Sequence, residues 1–185
     1  MRLILASASP RRRELIKKID GLEVEICPSQ TEERTEQTDP VRYATSLASL
    51  KAKDVFNRKG GLVLGADTIV VMGDEILGKP HAREEANEMF VKLCGRTHRV
   101  ITGLCIVGED RRMEDAEVSY VTFGDYDGEL VGRYIESGAP FDKAGGYGIQ
   151  DEALRPLIKE VKGDFDNVIG LPVKKVEEML KQFRR

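Results

Sequence analysis

The chain of 185 residues predicts an α/β fold: a mixed central β-sheet flanked by helices, arranged as two lobes about a central cleft. Three observations lead there. Short apolar runs alternate with segments of helical period, but without strict strand-helix-strand order. One pair of runs, residues 62–72 and 75–77, is joined by the turn dipeptide Gly73-Asp74 and reads as an antiparallel hairpin. The first of those runs is apolar on both faces, as a strand covered from both sides must be. The length is near that of one domain, and neither repeats nor low-complexity linkers interrupt it, so a single domain over residues 1–185 is expected.

Each element follows from local chemistry. Leu3-Ile4-Leu5-Ala6 reads as a short buried strand, and Ser9-Pro10 supplies a cap and a first-turn proline for a helix through residue 18. A second strand covers 23–27, and residues 28–38 form an acidic loop with no periodicity. Asp39-Pro40 opens a long helix in which Val41, Ala44, Ala48, Ala52 and Val55 make an apolar stripe. Arg42, Lys53 and Asp54 fall outside that stripe and Lys51 lies beside its edge. After the hairpin, a helix over 83–93 ends at Gly95, whose missing Cβ suits a C-terminal cap. Strands follow at 99–107 and 116–123 across a charged turn, then a helix over 129–136 and a glycine-rich loop over 138–148. A strand at 157–161 and a closing helix over 173–183 complete the pattern.

Composition narrows the classes of function. Hydrophobic residues make up 41% and charged residues 33%, and no apolar run approaches the roughly 20 residues that span a bilayer, so no membrane partner is expected. The apolar stretch at the N-terminus is too short for a secretory leader, which predicts a cytoplasmic protein. Cys27, Cys94 and Cys105 are odd in number and widely spaced, suiting neither a disulfide framework nor zinc. The net charge of −3 provides no global field for a nucleic acid, so an anionic ligand must be met by local clusters.

Several residues have the chemistry for such a cluster. Ala6-Ser7-Ala8-Ser9-Pro10-Arg11-Arg12-Arg13 places hydroxyls and guanidiniums at a strand-to-helix junction, where free backbone N–H groups favour a phosphate. The alternative is that Ser9 only caps the helix while the arginines are solvated. Asp67 stands amid Leu62-Val63-Leu64 and Ile69-Val70-Val71, where an unpaired carboxylate is costly. A metal, a lysine, or a water awaiting deprotonation would compensate it, and so would a purely structural hydrogen bond. Glu32 and Glu33 could join Asp67 around Mg²⁺ or Mn²⁺, or could simply be solvated. Lys79, in Gly78-Lys79-Pro80, has a restricted backbone that aims its ammonium, and Lys51 projects toward the same region; surface lysines are the plainer reading of both. Asp142-Lys143-Ala144-Gly145-Gly146-Tyr147-Gly148-Ile149-Gln150 ends in an amide able to recognise a base edge, yet it fits no P-loop or dinucleotide spacing and could be an ordinary ordered loop. His81 and His98 have no zinc-like spacing, and no Gly-x-Ser-x-Gly elbow is present.

Six segments taken in order, Ser7-Ala8-Ser9-Pro10-Arg11-Arg12, Gly65-Ala66-Asp67-Thr68-Ile69-Val70, Gly78-Lys79-Pro80, Gly95-Arg96-Thr97-His98, Asp142 to Gln150 and Gly170-Leu171-Pro172, resemble the Maf family of nucleoside triphosphate pyrophosphatases across nearly the whole chain. The resemblance implies a fold related to the inosine triphosphate pyrophosphatases, often a homodimer, and metal-dependent release of pyrophosphate. It gives Asp67 the part of catalytic acid/base. Arg11, Thr68 and Gln150 look like the trio of the branch acting on dTTP and UTP, which the branch associated with 7-methyl-GTP lacks. It places Glu33, Lys51 and Lys79 among the residues handling metal and phosphates, and makes Arg12 an assisting second arginine. Gly146 departs from the family's common alanine. The expected activity is hydrolysis of dTTP and UTP to the monophosphate and pyrophosphate. The alternatives are a pyrophosphatase for modified nucleotides and, because the family is also described as inhibiting septum formation, a nucleotide-binding regulator.

Overall fold

A computed structural model describes residues 1–183. Strand β1 (Arg2–Leu5) leads into helix α1 (Pro10–Ile16), then β2 (Glu23–Ile26) and the long helix α2 (Pro40–Lys59). The hairpin of β3 (Val63–Met72) and β4 (Glu75–Leu77) precedes α3 (Arg83–Leu93). Strands β5 (Thr97–Val107) and β6 (Arg112–Phe123) follow, then α4 (Gly128–Glu136), β7 (Ile158–Lys162), the one-turn helix α5 (Phe165–Ile169) and α6 (Val173–Lys181). The strands form one seven-stranded sheet in the order β2-β1-β3-β5-β6-β7, with β4 on β3. It is mixed, as expected: β1 pairs parallel with β2 and β3, whereas β4 runs antiparallel to β3 and β7 antiparallel to β6.

The chain divides into two compact units. The first comprises residues 1–68, 102–117 and 170–185, and the second residues 69–101 and 118–169. Strands β3, β5 and β6 each contribute residues to both. In the first unit, Ile4, Val63, Cys105 and Val107 from the strands, with Ala6 just beyond β1, pack against Ala48, Ala52 and Val55 of α2. The core of the second is aromatic: Phe123 lies 4.8 Å from Tyr147 and 5.0 Å from His98 between ring centroids, and Phe90 stacks on Phe123 at 6.4 Å.

Two glycines set how close α2 lies to its strands. A Cβ on Gly65 would stand 2.1 Å from the Ala48 carbonyl oxygen, and one on Gly103 would stand 2.3 Å from the Ala44 carbonyl carbon. Only glycine lets backbone meet backbone at that range. The helix starts on Asp39, whose Oδ1 accepts the Arg42 N–H at 2.9 Å, and Pro40 fills its first turn. Lys51, one turn beyond Leu47 and next to Ala52, is thereby driven against β3 instead of pointing to water.

The structure also shows what apolar patterning misses. β6 begins at Arg112, four residues before 116, because its first residues, Arg112, Glu114 and Asp115, are exposed and carry no apolar signal. Within the glycine-rich stretch, residues 139–142 and 144–146 form 3₁₀ turns. Helix α5 is too short for periodicity to register; Asp164 starts it, its Oδ1 accepting the N–H of Asp166 at 2.8 Å and of Asn167 at 3.2 Å. All three cysteines are free thiols, and among the described residues no helix is long and apolar enough to cross a membrane.

Candidate active site

Asp67 sits at the point where β3 passes α2. It is buried, and its charge is met by Lys51, whose Nζ lies 2.7 Å from Asp67 Oδ1. The same ammonium is 2.9 Å from Glu33 Oε2, so one lysine holds two carboxylates. The three side chains differ in access to water: Lys51 and Asp67 are 10% and 11% exposed, and Glu33 is 56% exposed. Of the two neighbouring acids in the loop, Glu33 reaches the lysine, while Glu32 pairs with Arg34 at the surface. A buried carboxylate with a cation at hydrogen-bonding distance keeps its charge at tolerable cost, and Glu33 opens the group to solvent on one side.

The next residue, Thr68, belongs to a second set of contacts. Its Oγ1 accepts from Arg12 Nη2 at 2.9 Å, lies 2.9 Å from Thr102 Oγ1, and donates to the Gly170 carbonyl at 3.2 Å. Arg12 also donates through Nε to Gly170 O at 2.8 Å and through Nη1 to Ser7 Oγ at 3.4 Å. Burial draws the Arg12 guanidinium below its ordinary pKa, against the pull of Asp67 and Glu33, with neighbouring Arg11 adding to the lowering. Ser7 Oγ in addition accepts the Ser9 N–H at 3.2 Å, and Ser9 Oγ caps α1 by accepting the Arg12 N–H at 3.4 Å. The capping reading of Ser9 therefore holds, but Arg12 is not a solvated arginine: Ser7, Thr68 and Gly170 orient it. Arg11, one position earlier in α1, is half-buried.

Lys79 and Gln150 lie in the second unit, and both are exposed. The loop ending at Gln150 is firmly held. Gly145, at φ +67°, donates its N–H to Gly78 O at 2.8 Å, and a Cβ there would meet Val70 at 2.9 Å. Lys143 Nζ contacts Ala139 O at 2.6 Å and Asp142 Oδ1 at 2.7 Å, while Tyr134 donates to Asp151 and accepts the Gly148 N–H at 3.2 Å. His98 is 2% exposed, with Nε2 2.7 Å from Tyr147 Oη, and burial pushes its pKa down to about 4. That places it in the core as a neutral imidazole, in keeping with its lack of zinc-like spacing.

The model of the Maf-like protein family matches residues 2–183. The chain belongs to the Maf family. It is 45% identical over 171 residues to a dTTP/UTP pyrophosphatase of Thermococcus onnurineus (strain NA1), covering 92% of each chain. It is 42% identical over 185 residues to a dTTP/UTP pyrophosphatase of Ruminiclostridium cellulolyticum (strain ATCC 35319 / DSM 5812 / JCM 6584 / H10), covering 97% of this chain and 95% of the relative. Among solved structures, the Staphylococcus aureus Ham1 protein superposes with a TM-score of 0.59 over 100% of both chains at 12% identity, a likeness of fold.

Within this Maf chain, the first unit brings together Ser7, Ser9, Arg12, Glu33, Lys51, Asp67 and Thr68 of the residues expected from sequence. It adds Thr102 and the Gly170 carbonyl. Thr102 carried the same signal as Asp67, a polar residue inside an apolar run, Val100-Ile101-Thr102-Gly103-Leu104. Among the described residues no group of three or more His, Cys, Asp or Glu side chains stands together as a metal cage. The pair Glu33 and Asp67 nevertheless suits a hard cation such as Mg²⁺, which takes one or two carboxylates and completes its shell with water and substrate phosphate oxygens.

Proposed function

We propose that this Maf chain hydrolyses dTTP and UTP to the nucleoside monophosphate and pyrophosphate, with a divalent cation, Mg²⁺ or Mn²⁺, held by Glu33 and Asp67. The observation that supports it most is the cluster in which Lys51 holds Asp67 and Glu33, immediately followed in sequence by the Arg12-anchored Thr68. A charged, nearly buried carboxylate with an open neighbour is what a general base requires. The activity named for relatives at 42% and 45% identity is the same.

In this reading a water molecule gives its proton to Asp67 as its oxygen attacks the α-phosphorus, and the bond to the bridging oxygen of the β-phosphate breaks. Lys51 engages Oδ1 of Asp67 and leaves other lone pairs of the carboxylate to take the proton. Lys51 keeps the carboxylate aimed, and Arg12 and Arg11 meet the phosphate charge. The cation, when bound, would neutralise the triphosphate and the departing pyrophosphate. The parts of Lys79 in binding phosphate and Gln150 in reading the pyrimidine edge rest on the family resemblance. We also propose, on the same ground, that residues 1–185 act as one domain and assemble as a homodimer; the chain crosses between its two units four times, at 68/69, 101/102, 117/118 and 169/170.

The test is to incubate the purified protein with dTTP, UTP, CTP, GTP, ATP and modified triphosphates, with and without Mg²⁺ or Mn²⁺, and to resolve the products. Monophosphate plus pyrophosphate, fastest from dTTP and UTP, is expected. Equal kcat/KM for GTP and UTP would remove the pyrimidine preference, and tight binding without turnover would favour a regulator.

A further inference from the structure

We propose that Thr102 is a positioning residue for substrate binding, acting through Thr68 on Arg12; this rests on the function proposed above. A threonine hydroxyl has one proton and two lone pairs. Thr68 Oγ1 accepts from Arg12 Nη2 at 2.9 Å and lies 3.2 Å from Gly170 O and 2.9 Å from Thr102 Oγ1, its one proton being able to serve either of the last two. Three protein groups thus converge on the Thr68 hydroxyl, and its influence on substrate choice passes through the guanidinium it orients.

Thr102 is suited to hold such an arrangement still. It is 0% exposed, it lies in the interior of β5, and its neighbour Gly103 sits so close to α2 that a Cβ would meet the backbone of Ala44 and Thr45 at 2.3 Å. The hydroxyl that holds Thr68 is thus anchored by backbone contact to the helix that carries Lys51. Without it, the half-buried Thr68 hydroxyl loses one of its three partners and can turn toward a new one at the expense of Arg12 or Gly170. A guanidinium whose direction is less well fixed binds phosphate less tightly in the ground and transition states alike, so the loss falls on KM and leaves kcat nearly untouched.

The experiment compares Thr102→Val, which keeps the shape and removes the hydroxyl, with Thr102→Ser, which keeps the hydroxyl and removes the methyl, using dTTP and a divalent cation. Thr102→Val is expected to raise KM about ten-fold with kcat within about two-fold, and Thr102→Ser to restore the wild-type KM. The double variant Thr68→Val, Thr102→Val is expected to match Thr68→Val alone, since Thr102 acts through Thr68. A wild-type KM in Thr102→Val, an equal defect in Thr102→Ser, or multiplicative losses in the double variant would each overturn the inference. The wild type is read in the same assay. A wild type inert toward dTTP overturns the function reading and this inference with it, whereas an active wild type with an indifferent Thr102→Val overturns only the inference.

Discussion

The two units of this chain each bury polar groups, and they do so on opposite terms. In the first, the charges have counter-charges or several hydrogen bonds: buried Lys51 with Asp67 and Glu33, half-buried Arg12 with Ser7, Thr68 and Gly170. Glu33 keeps one side of its group in water. In the second, His98 and Tyr147 share one hydrogen bond inside a ring of aromatic faces, and His98 Nδ1 is buried with no hydrogen-bond partner among the described residues. There the imidazole is held neutral, and burial drives the Tyr147 pKa upward. Charges kept ionised next to solvent are ready to meet a charged ligand; neutral groups closed in by rings contribute to packing and make stability sensitive to pH.

The sharpest way to break this contrast is Asp67→Asn. The amide keeps the volume and a hydrogen-bonding oxygen but cannot take a proton, so kcat for dTTP should fall about 10³-fold, the usual scale of a general base, or about 4 kcal/mol of barrier. The fold should survive, because Lys51 retains Glu33. Turnover rates and a thermal melt on the same preparation check it; undiminished turnover would remove Asp67 from the chemistry.

Lys51→Met asks the reverse question. It leaves Asp67 nearly buried and unpaired, which should cost about 3 kcal/mol of unfolding free energy in a urea titration, the low end for a broken buried pair. Adding Asp67→Asn removes the stranded charge, so the double variant should be more stable than Lys51→Met alone. If it is less stable, the ion pair is not what holds this part of α2 to β3.

In the second unit the effect is a pH slope. The His98 pKa falls from 6.5 to about 4 on folding, so the unfolded chain takes up a proton that the folded one refuses. Stability is then fully present above pH 6.5, is lost as the pH falls from 6.5 to about 4, and changes no further below that. The shift corresponds to about 3 kcal/mol. Unfolding titrations of the wild type and His98→Gln across this window should show the wild type losing about that much more than the variant, since the carboxylates common to both cancel in the difference. Parallel slopes would mean that His98 is protonated in the folded protein.

How far this could be read in advance depended on the kind of signal. Asp67 was legible because an acid inside an apolar strand demands compensation, and the hairpin because Gly73-Asp74 separates two apolar arms. The amphipathic stripe placed α2, but it put Lys51 only at its edge; the burial of that lysine follows from Gly65 and Gly103, whose role as contact points exists only once strand and helix are brought together. Arg12 looked like an assistant to Arg11 because its partners, Thr68 and Gly170, are 56 and 158 residues away along the chain, and no local pattern reports such a distance. Helix α5 and the charged start of β6 escaped because one is too short for a period and the other too polar for an apolar one.

The smallest predicted effect separates backbone strain from function. Gly170 has φ +137°, and a Cβ there would find Thr68 Oγ1 no nearer than 3.8 Å and Arg12 Nε at 4.0 Å. Gly170→Ala therefore meets no clash, and its penalty is conformational, on the order of 1–2 kcal/mol. Gly73, in the turn between β3 and β4, has φ +59°, and a Cβ there would have nothing within 4 Å; Gly73→Ala should cost a similar amount of stability. The two should differ in KM. The Gly170 carbonyl accepts from both Arg12 and Thr68, so relaxing its strained peptide moves the acceptor that fixes the guanidinium, and KM for dTTP should rise several-fold. Gly73→Ala should leave KM as it is. Melting temperatures matched within a few degrees and KM values that diverge would show that Gly170 serves the ligand-facing network; matched KM values would reduce it to a turn.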